Sequence, residues 1–296
     1  MQPKVSVIIP NYNHAEFLEQ RLRSVLDQTY GNIEVILMDD ASTDGSRDIL
    51  KEYEGHPKVK HIEYNTNNSG SPFLQWQKGL SMASGDYIWI AESDDYCEFD
   101  FLETIMALFK EETVLAYCAS NVVDAEGKIL GKHKWPDALD KERWKHPFTN
   151  DGHNEITQYL RYRNTIANAS AVVIKKTALD KVDLPIDMRF CGDWQLWIQI
   201  VCLGSVAYTP KALNYFRRHQ QTTRTVQNIE TEQQRYHEYF NIIKNNSTLL
   251  SRLLHLKKYD WMLREWQGRQ HHYDNAAYKK LNMPFELLMR YKYKFR

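Results

Sequence analysis

The chain has 296 residues, 43% hydrophobic and 26% charged, the make-up of an ordinary globular protein. Its 38 basic and 38 acidic residues balance to a formal charge of zero, which argues against bulk nucleic-acid binding. The four cysteines, Cys97, Cys118, Cys191 and Cys202, show no CxxC or Cys/His zinc spacing, so buried thiols in a reducing compartment are expected.

Residues 1–4 run straight into a strand-like stretch, and no apolar run nears the roughly 20 residues that span a bilayer, so the cytoplasm is the expected location. Residues 5–9 read as a first strand stopped by Pro10, followed by a polar turn of Asn11, Tyr12, Asn13 and His14. Phe17, Leu18, Leu22, Val25 and Leu26 make a helical stripe within 15–28. A second strand over 33–38 ends on Asp39 and Asp40, a turn spans 41–46, and 48–53 is helical. A third strand over 59–64, a loop over 65–72 and a helix over 73–82 follow. The fourth strand, 87–91, ends on Glu92, Ser93, Asp94 and Asp95. Strands alternating with helices predict parallel βαβ units.

Past residue 100 the pattern loosens. A helix over 101–111, a strand over 114–120 and a turn at 124–127 lead into an irregular polar stretch over 131–151, long enough to predict a functional or mobile loop. Short strands at 172–174 and 213–216 bracket a buried helix over 194–203. From about 226 the chain reads as polar and helical, Pro284 interrupts it, and 285–296 is basic and aromatic.

Two acidic clusters stand directly behind buried strands. Carboxylates there cannot stay in the core unpaired, and ligands of open α/β sheets bind outside the carboxyl ends of the strands. Asp39-Asp40 can cap the following turn or accept a hydrogen bond from a nucleobase N–H. Glu92, Asp94 and Asp95 repel one another unless a cation or donors intervene, and hard dications such as Mg²⁺ and Mn²⁺ prefer oxygen ligands. Asp193 opens an apolar helix after Gly192, as a cap or as a general base toward an acceptor hydroxyl. Arg217, Arg218 and His219 make a basic turn able to hold a diphosphate.

Together these segments resemble the family 2 glycosyltransferases of GT-A fold, over roughly residues 4–220. The stretch from Val5 to Asn13 is similar to that family's opening strand and nucleotide-contacting turn, and 39–44 (DDASTD) resembles its second-strand signature. Residues 85–95 resemble the strand carrying its DxD metal motif, and 192–197 (GDWQLW) resembles the segment holding its catalytic base. Glu92 replaces the first Asp of DxD, and Gln77-Lys78-Gly79 replaces a common Asn-x-Gly.

The resemblance implies a Rossmann-like, mostly parallel central sheet flanked by helices, with a helical C-terminal extension. Residues 1–100 would bind the nucleotide-sugar, 101–225 would form the acceptor and catalytic half, and 226–296 the extension. Asp40 would meet the base, with Asp39, Pro10, Asn11, Tyr12 and Lys78 around the nucleotide. Asp94 and Asp95 would share ribose and metal (Mn²⁺ or Mg²⁺), with His219 approaching the metal-bound diphosphate. Arg217, Arg218 and Glu92 would serve the diphosphate, Trp194 and Trp197 the acceptor, and Asp193 would be the base. The stretch 131–170 would shape the acceptor pocket.

The implied reaction is inverting transfer from a nucleotide-sugar, UDP-linked by the family's habit, to a glycan or lipid-linked acceptor of surface polysaccharide. A sugar nucleotidyltransferase and a non-catalytic nucleotide-sugar-binding module are the competing readings; no Gly-rich phosphate loop follows the first strand. Residues 284–296 could contact an anionic membrane surface or pack as an ordinary helix end.

Overall fold

The strand β1 (Val5–Asn11) is buried along its whole length, Ser6 and Asn11 included, as expected of a strand covered on both faces. A computed structural model describes residues 2–166, 168–219 and 229–269. The other strands are β2 (Ile33–Asp39), β3 (Val59–Tyr64), β4 (Tyr87–Ile90), β5 (Tyr96–Cys97), β6 (Thr113–Val123), β7 (Ile129–Lys132), β8 (Phe148–Asp151), β9 (Val172–Lys175) and β10 (Ser205–Arg217). The helices are α1 (Ala15–Leu26), α2 (Ser46–Lys51), α3 (Pro72–Met82), α4 (Phe101–Met106), α5 (Gly152–Glu155), α6 (Lys176–Leu179), α7 (Gly192–Val201), α8 (Ile229–Asn245), α9 (Leu249–Leu254) and α10 (Asp260–Arg269).

One mixed sheet carries the order β3-β2-β1-β4-β9-β6-β10-β5, with β7 added on β6 and β8 on β10. The first four strands are parallel. Antiparallel β9 then joins β4 to β6, and β6 pairs in parallel with β10. The chain builds outward from β1 to β3 and then returns to lay β4 on the other side of β1. That reversal opens a crevice at the carboxyl ends of β1 and β4, where an α/β sheet binds its ligand. The register sets Asn11 beside Asp39 there.

Strand alternation divides the core in two. Val5, Val7 and Ile9 face Leu18, Leu22 and Val25 of α1. Ile8, Ile36 and Ile88 face the other layer, with Phe73 and Trp76 of α3 and Trp194 and Trp197 of α7.

The strand expected at 213–216 is the end of a longer one. Register shifts between Thr209 and Asn214 interrupt β10 beside Pro210, which lacks the N–H a ladder needs, and so hide its alternation. The stretch 131–151 is held in place: Trp144 Nε1 donates to Tyr117 Oη at 2.9 Å, and the Arg143 guanidinium pairs with buried Glu155. Helices α8 and α10 pack on α7, with Tyr239 meeting both Trp194 and Trp261 edge-on. Among the described residues no helix is long and apolar enough to cross a membrane. The membrane contact expected of 284–296 lies outside the described residues.

Candidate active site

The turns after β1 and β2 clasp each other. Asn13 and Ala41 both adopt positive φ, 55° and 62°, a conformation that side-chain-bearing residues rarely take and that clusters at functional sites. Asn13 N donates to Ser42 Oγ at 3.0 Å, and Thr43 N donates to Asn13 Oδ1 at 2.8 Å. Asp39 accepts from Ser42 N at 3.1 Å and from Arg47 Nε at 2.7 Å. Asn11 Nδ2 reaches Ser42 Oγ at 3.2 Å. Pro10 is buried in the sheet, whereas Tyr12 stands out at 45% exposure.

Asp40 is tied into a network of protein donors. Its carboxylate accepts from Asn65 Nδ2 (2.7 Å), Gln75 Nε2 (2.8 Å), Ser69 Oγ (2.8 Å) and Ser69 N (2.9 Å). Those bonds tie the 65–75 segment to the end of β2. Lys78 joins the same network from α3, with Nζ 2.7 Å from Glu63 Oε1 and 2.6 Å from Asn65 Oδ1.

The second cluster separates into three carboxylates with three environments. Glu92 turns toward α3, where Trp76 Nε1 donates to its Oε1 at 2.9 Å. Burial, and then the charge of Asp94, push its carboxyl up to about 8. Asp95 is 2% exposed and accepts from Arg217 N at 2.9 Å and Asn168 Nδ2 at 3.0 Å. Burial, with the neighbouring Asp94 charge, raises it to about 6, against the pull of Arg21. Asp94 meets the second histidine of the region, with its Oδ2 3.1 Å from His219 Nε2. Burial alone would raise its pKa, but the His219 hydrogen bond and the His14 and His219 charges hold it below the usual range.

His14 completes this corner. Its Nδ1 lies 2.8 Å from Ser93 Oγ, and its ring meets His219 edge-on at 5.3 Å. Burial lowers its pKa, against the opposing effect of Asp94. Ligand atoms of His14, Asp94 and His219 all lie within 4.8 Å of one another. The donor chemistry and spacing fit a divalent cation. Of the metal residues expected, Asp94 and His219 belong to this cluster. The Asp95 oxygens are bonded to main chain and amide instead. His14 reads only as a turn residue in the sequence, because its partners lie 79 and 205 positions further on.

Arg217 corrects the expected diphosphate role. Along a strand, neighbours point to opposite faces: Phe216 and Arg218 line a cavity, while Arg217 turns inward and is 2% exposed. Its guanidinium donates to the carbonyls of Asp94 (2.9 Å) and Asp124 (3.2 Å) and to Gln20. It also covers Phe17 and Tyr96 at 4.6 and 5.3 Å. Arg218 is exposed on the cavity side.

That cavity, of about 360 Å³, is lined by Asp193, His219, Arg218, Asn164, Trp135 and Trp261, among others. Asp193 lies in the first turn of α7, where the helix dipole favours an anion. Its Oδ1 accepts from Trp194 N at 2.7 Å and its Oδ2 from Asn164 Nδ2 at 3.1 Å. Gly192 is required at the helix start, because a Cβ there would sit 2.6 Å from the Phe73 ring. Trp194 borders the cavity while its Nε1 donates to Leu160 O at 2.7 Å. Trp197 does not take the expected acceptor role: it is 0% exposed, stacks on Trp76 at 6.5 Å and donates to Ile166 O.

The family model described as Glycosyl transferase family 2 matches residues 6–182. The chain is 31% identical over 209 residues to TuaG of Bacillus subtilis (strain 168), a glycosyltransferase named for teichuronic acid biosynthesis, covering 70% of this chain and 75% of TuaG. S. aureus TarS 1-349 in complex with UDP-GlcNAc has the same fold, with a TM-score of 0.65 at 19% identity, over 96% of this chain and 77% of that one. A mannosyltransferase, PcManGT from Pyrobaculum calidifontis in complex with GDP-Man and Mn²⁺, gives 0.62 at 16% identity, over 98% and 81%. At these identities the two structures support the fold alone.

Proposed function

The chain belongs to glycosyl transferase family 2, and from that premise we propose that it moves a sugar from a UDP-sugar to a hydroxyl of a growing surface glycan or lipid-linked acceptor, with inversion at the anomeric carbon. The observation that carries this reading is the shared cavity of Asp193 and His219, which Arg218 also lines. Its volume of about 360 Å³ falls within the usual range for small-ligand sites. Teichuronic acid in the naming of TuaG supports the acceptor class, and the UDP-linked donor is the reading that the residues around Asp94 leave to be tested.

The acceptor hydroxyl sits against the aromatic wall formed by Trp135, Trp194 and Trp261. Its oxygen attacks the anomeric carbon as Asp193 takes the proton, and the bond to the diphosphate oxygen breaks in line. Asn164 holds Asp193 Oδ2 in position. Arg218 offers a charge-assisted donor to the departing diphosphate. Asp94 and His219 would hold a divalent cation, which when bound supplies positive charge at the leaving group. Glu92, bonded to Trp76, supports the site from behind without reaching the cavity.

Purified protein incubated with UDP-sugars and acceptor oligosaccharides tests the reading by product analysis. Release of UDP with transfer to acceptor is expected. Formation of UTP and sugar 1-phosphate when pyrophosphate is added would indicate nucleotidyl transfer, and no turnover of any nucleotide-sugar would indicate a binding module.

A further inference from the structure

We propose that His14 is a third protein ligand of the cation site, beside Asp94 and His219, and that it biases the site toward a transition-metal dication over Mg²⁺. The inference rests on the metal-assisted reading above and adds a residue from the turn after β1. His14 occupies the N-cap position of α1, yet its side chain makes no capping bond. The ring instead reaches the turn after β4, where Ser93 Oγ contacts Nδ1 at 2.8 Å. Ser93 is itself 1% exposed, so it is a fixed anchor. In the tautomer whose Nδ1–H donates to this hydroxyl, the lone pair lies on Nε2, the arrangement by which an outer hydrogen bond orients a metal-ligating histidine.

The backbone prepares this placement. Positive φ at Asn13 folds the turn back, and Asp44 Oδ2 secures the next residue by accepting from Ala15 N at 2.8 Å. Phe17 and His219 confine the ring at centroid distances of 6.2 and 5.3 Å. The ligand atoms of the three side chains are within 4.8 Å of one another, a spread that small side-chain rotations close. In the cation-free arrangement Asp94 Oδ2 and His219 Nε2 lie 3.1 Å apart, so these two ligand atoms already face one another. Two imidazoles and one carboxylate are an unsuitable set for Mg²⁺, which demands oxygen, and an ordinary one for Mn²⁺ or its neighbours in the series.

The test uses the full chain with Mn²⁺ alone and with Mn²⁺ plus UDP, read by pulsed electron paramagnetic resonance for ¹⁴N coupled to the metal and by calorimetric affinity. Two imidazole nitrogens are expected in the wild-type spectrum, which needs no variant and so no assumption about folding. One nitrogen should remain in His14→Gln and one in His219→Gln. Mn²⁺ affinity should fall at least ~10-fold in His14→Gln, and wild type should bind Mn²⁺ more tightly than Mg²⁺. A single coupled nitrogen in wild type, or an unchanged spectrum in His14→Gln, overturns the assignment while leaving the transferase reading standing. Equal affinity for the two metals removes the selectivity claim. Failure of wild type to bind Mn²⁺ with or without UDP overturns both the assignment and metal assistance, and sugar transfer can then still be measured in chelator.

Discussion

Glu238 accepts a hydrogen bond from the main-chain N–H of Cys191 at 2.9 Å, and the N–H groups of Phe190 and Arg189 converge on the same carboxylate at 2.8 and 2.9 Å. A side chain of α8 thus grips the segment that enters α7, two residues before Asp193. The grip comes from beyond residues 6–182, the part matched by the family model. It gives the C-terminal helices a part in placing the candidate base. Glu238→Gln puts an amide NH₂ where only acceptors fit. We expect a loss of about 1–3 kcal/mol in stability and a drop in kcat with the donor KM unchanged. Chemical denaturation and steady-state kinetics measure the two effects, and a variant with wild-type kcat would show that the grip is purely structural.

Asp193→Asn should lower transfer by ~10²–10⁴-fold, the usual contribution of a general base. The amide keeps the size of the side chain beside Asn164 and Trp194, so UDP affinity should match wild type. Transfer rates and calorimetric binding of UDP to the same preparation test both halves, and near-normal transfer would remove Asp193 from the role of base.

Adjacent arginines should behave in opposite ways. Arg217→Ala deletes buried donors to Asp94 O, Asp124 O and Gln20, leaving acceptors unsatisfied, and should cost about 3 kcal/mol or more. Arg218→Ala should leave the melting temperature within about 1–2 °C, since an exposed side chain contributes little, and raise the donor KM. Thermal melts and donor titrations of the two variants separate the roles, and equal melting shifts would contradict the assignment.

Glu34 links the fold to pH. Burial alone would raise its pKa, but hydrogen bonds from Lys4, Ser6 and Ser84 overcome that and hold it at about 2, below the ordinary 4.5. A depressed carboxyl stabilises the fold fully above the unfolded pKa and loses that contribution as pH falls from 4.5 toward 2. With Lys4 34% exposed, solvent screening reduces the contribution to about 1–2 kcal/mol. Glu34→Gln should therefore lower stability at pH 7 by about that amount and flatten the acid limb of the stability curve. Urea melts across that range test it, and parallel curves for variant and wild type would exclude the linkage.

The first half of the molecule was legible because its signals are local. Apolar runs at 5–9, 33–38 and 87–91, each ended by polar or acidic residues, become β1, β2 and β4 with the clusters at their carboxyl ends. Strands β5 and β8 were not legible, since two and four residues show little period and their partner β10 lies far away in the chain; β7 is a short, mostly exposed hairpin strand on β6 with no apolar alternation to mark it. Arg217 and Arg218 look alike in sequence; only the phase of β10, shifted after Pro210, determines which one faces the cavity.

By itself the sequence determined which residues carry charge, where the buried strands β1, β2 and β4 run, and therefore that carboxylates gather at one sheet edge. Only the tertiary structure decided what each carboxylate does, because that depends on partners brought from distant positions. Asn65, Ser69 and Gln75 claim Asp40, Trp76 claims Glu92, and the Arg217 main chain claims Asp95. Asp94 is left beside two histidines, His14 and His219, that lie 80 residues before it and 125 after it. Burial sets the cost of each charge and the packed neighbours set its compensation, and neither can be read from residue type and spacing.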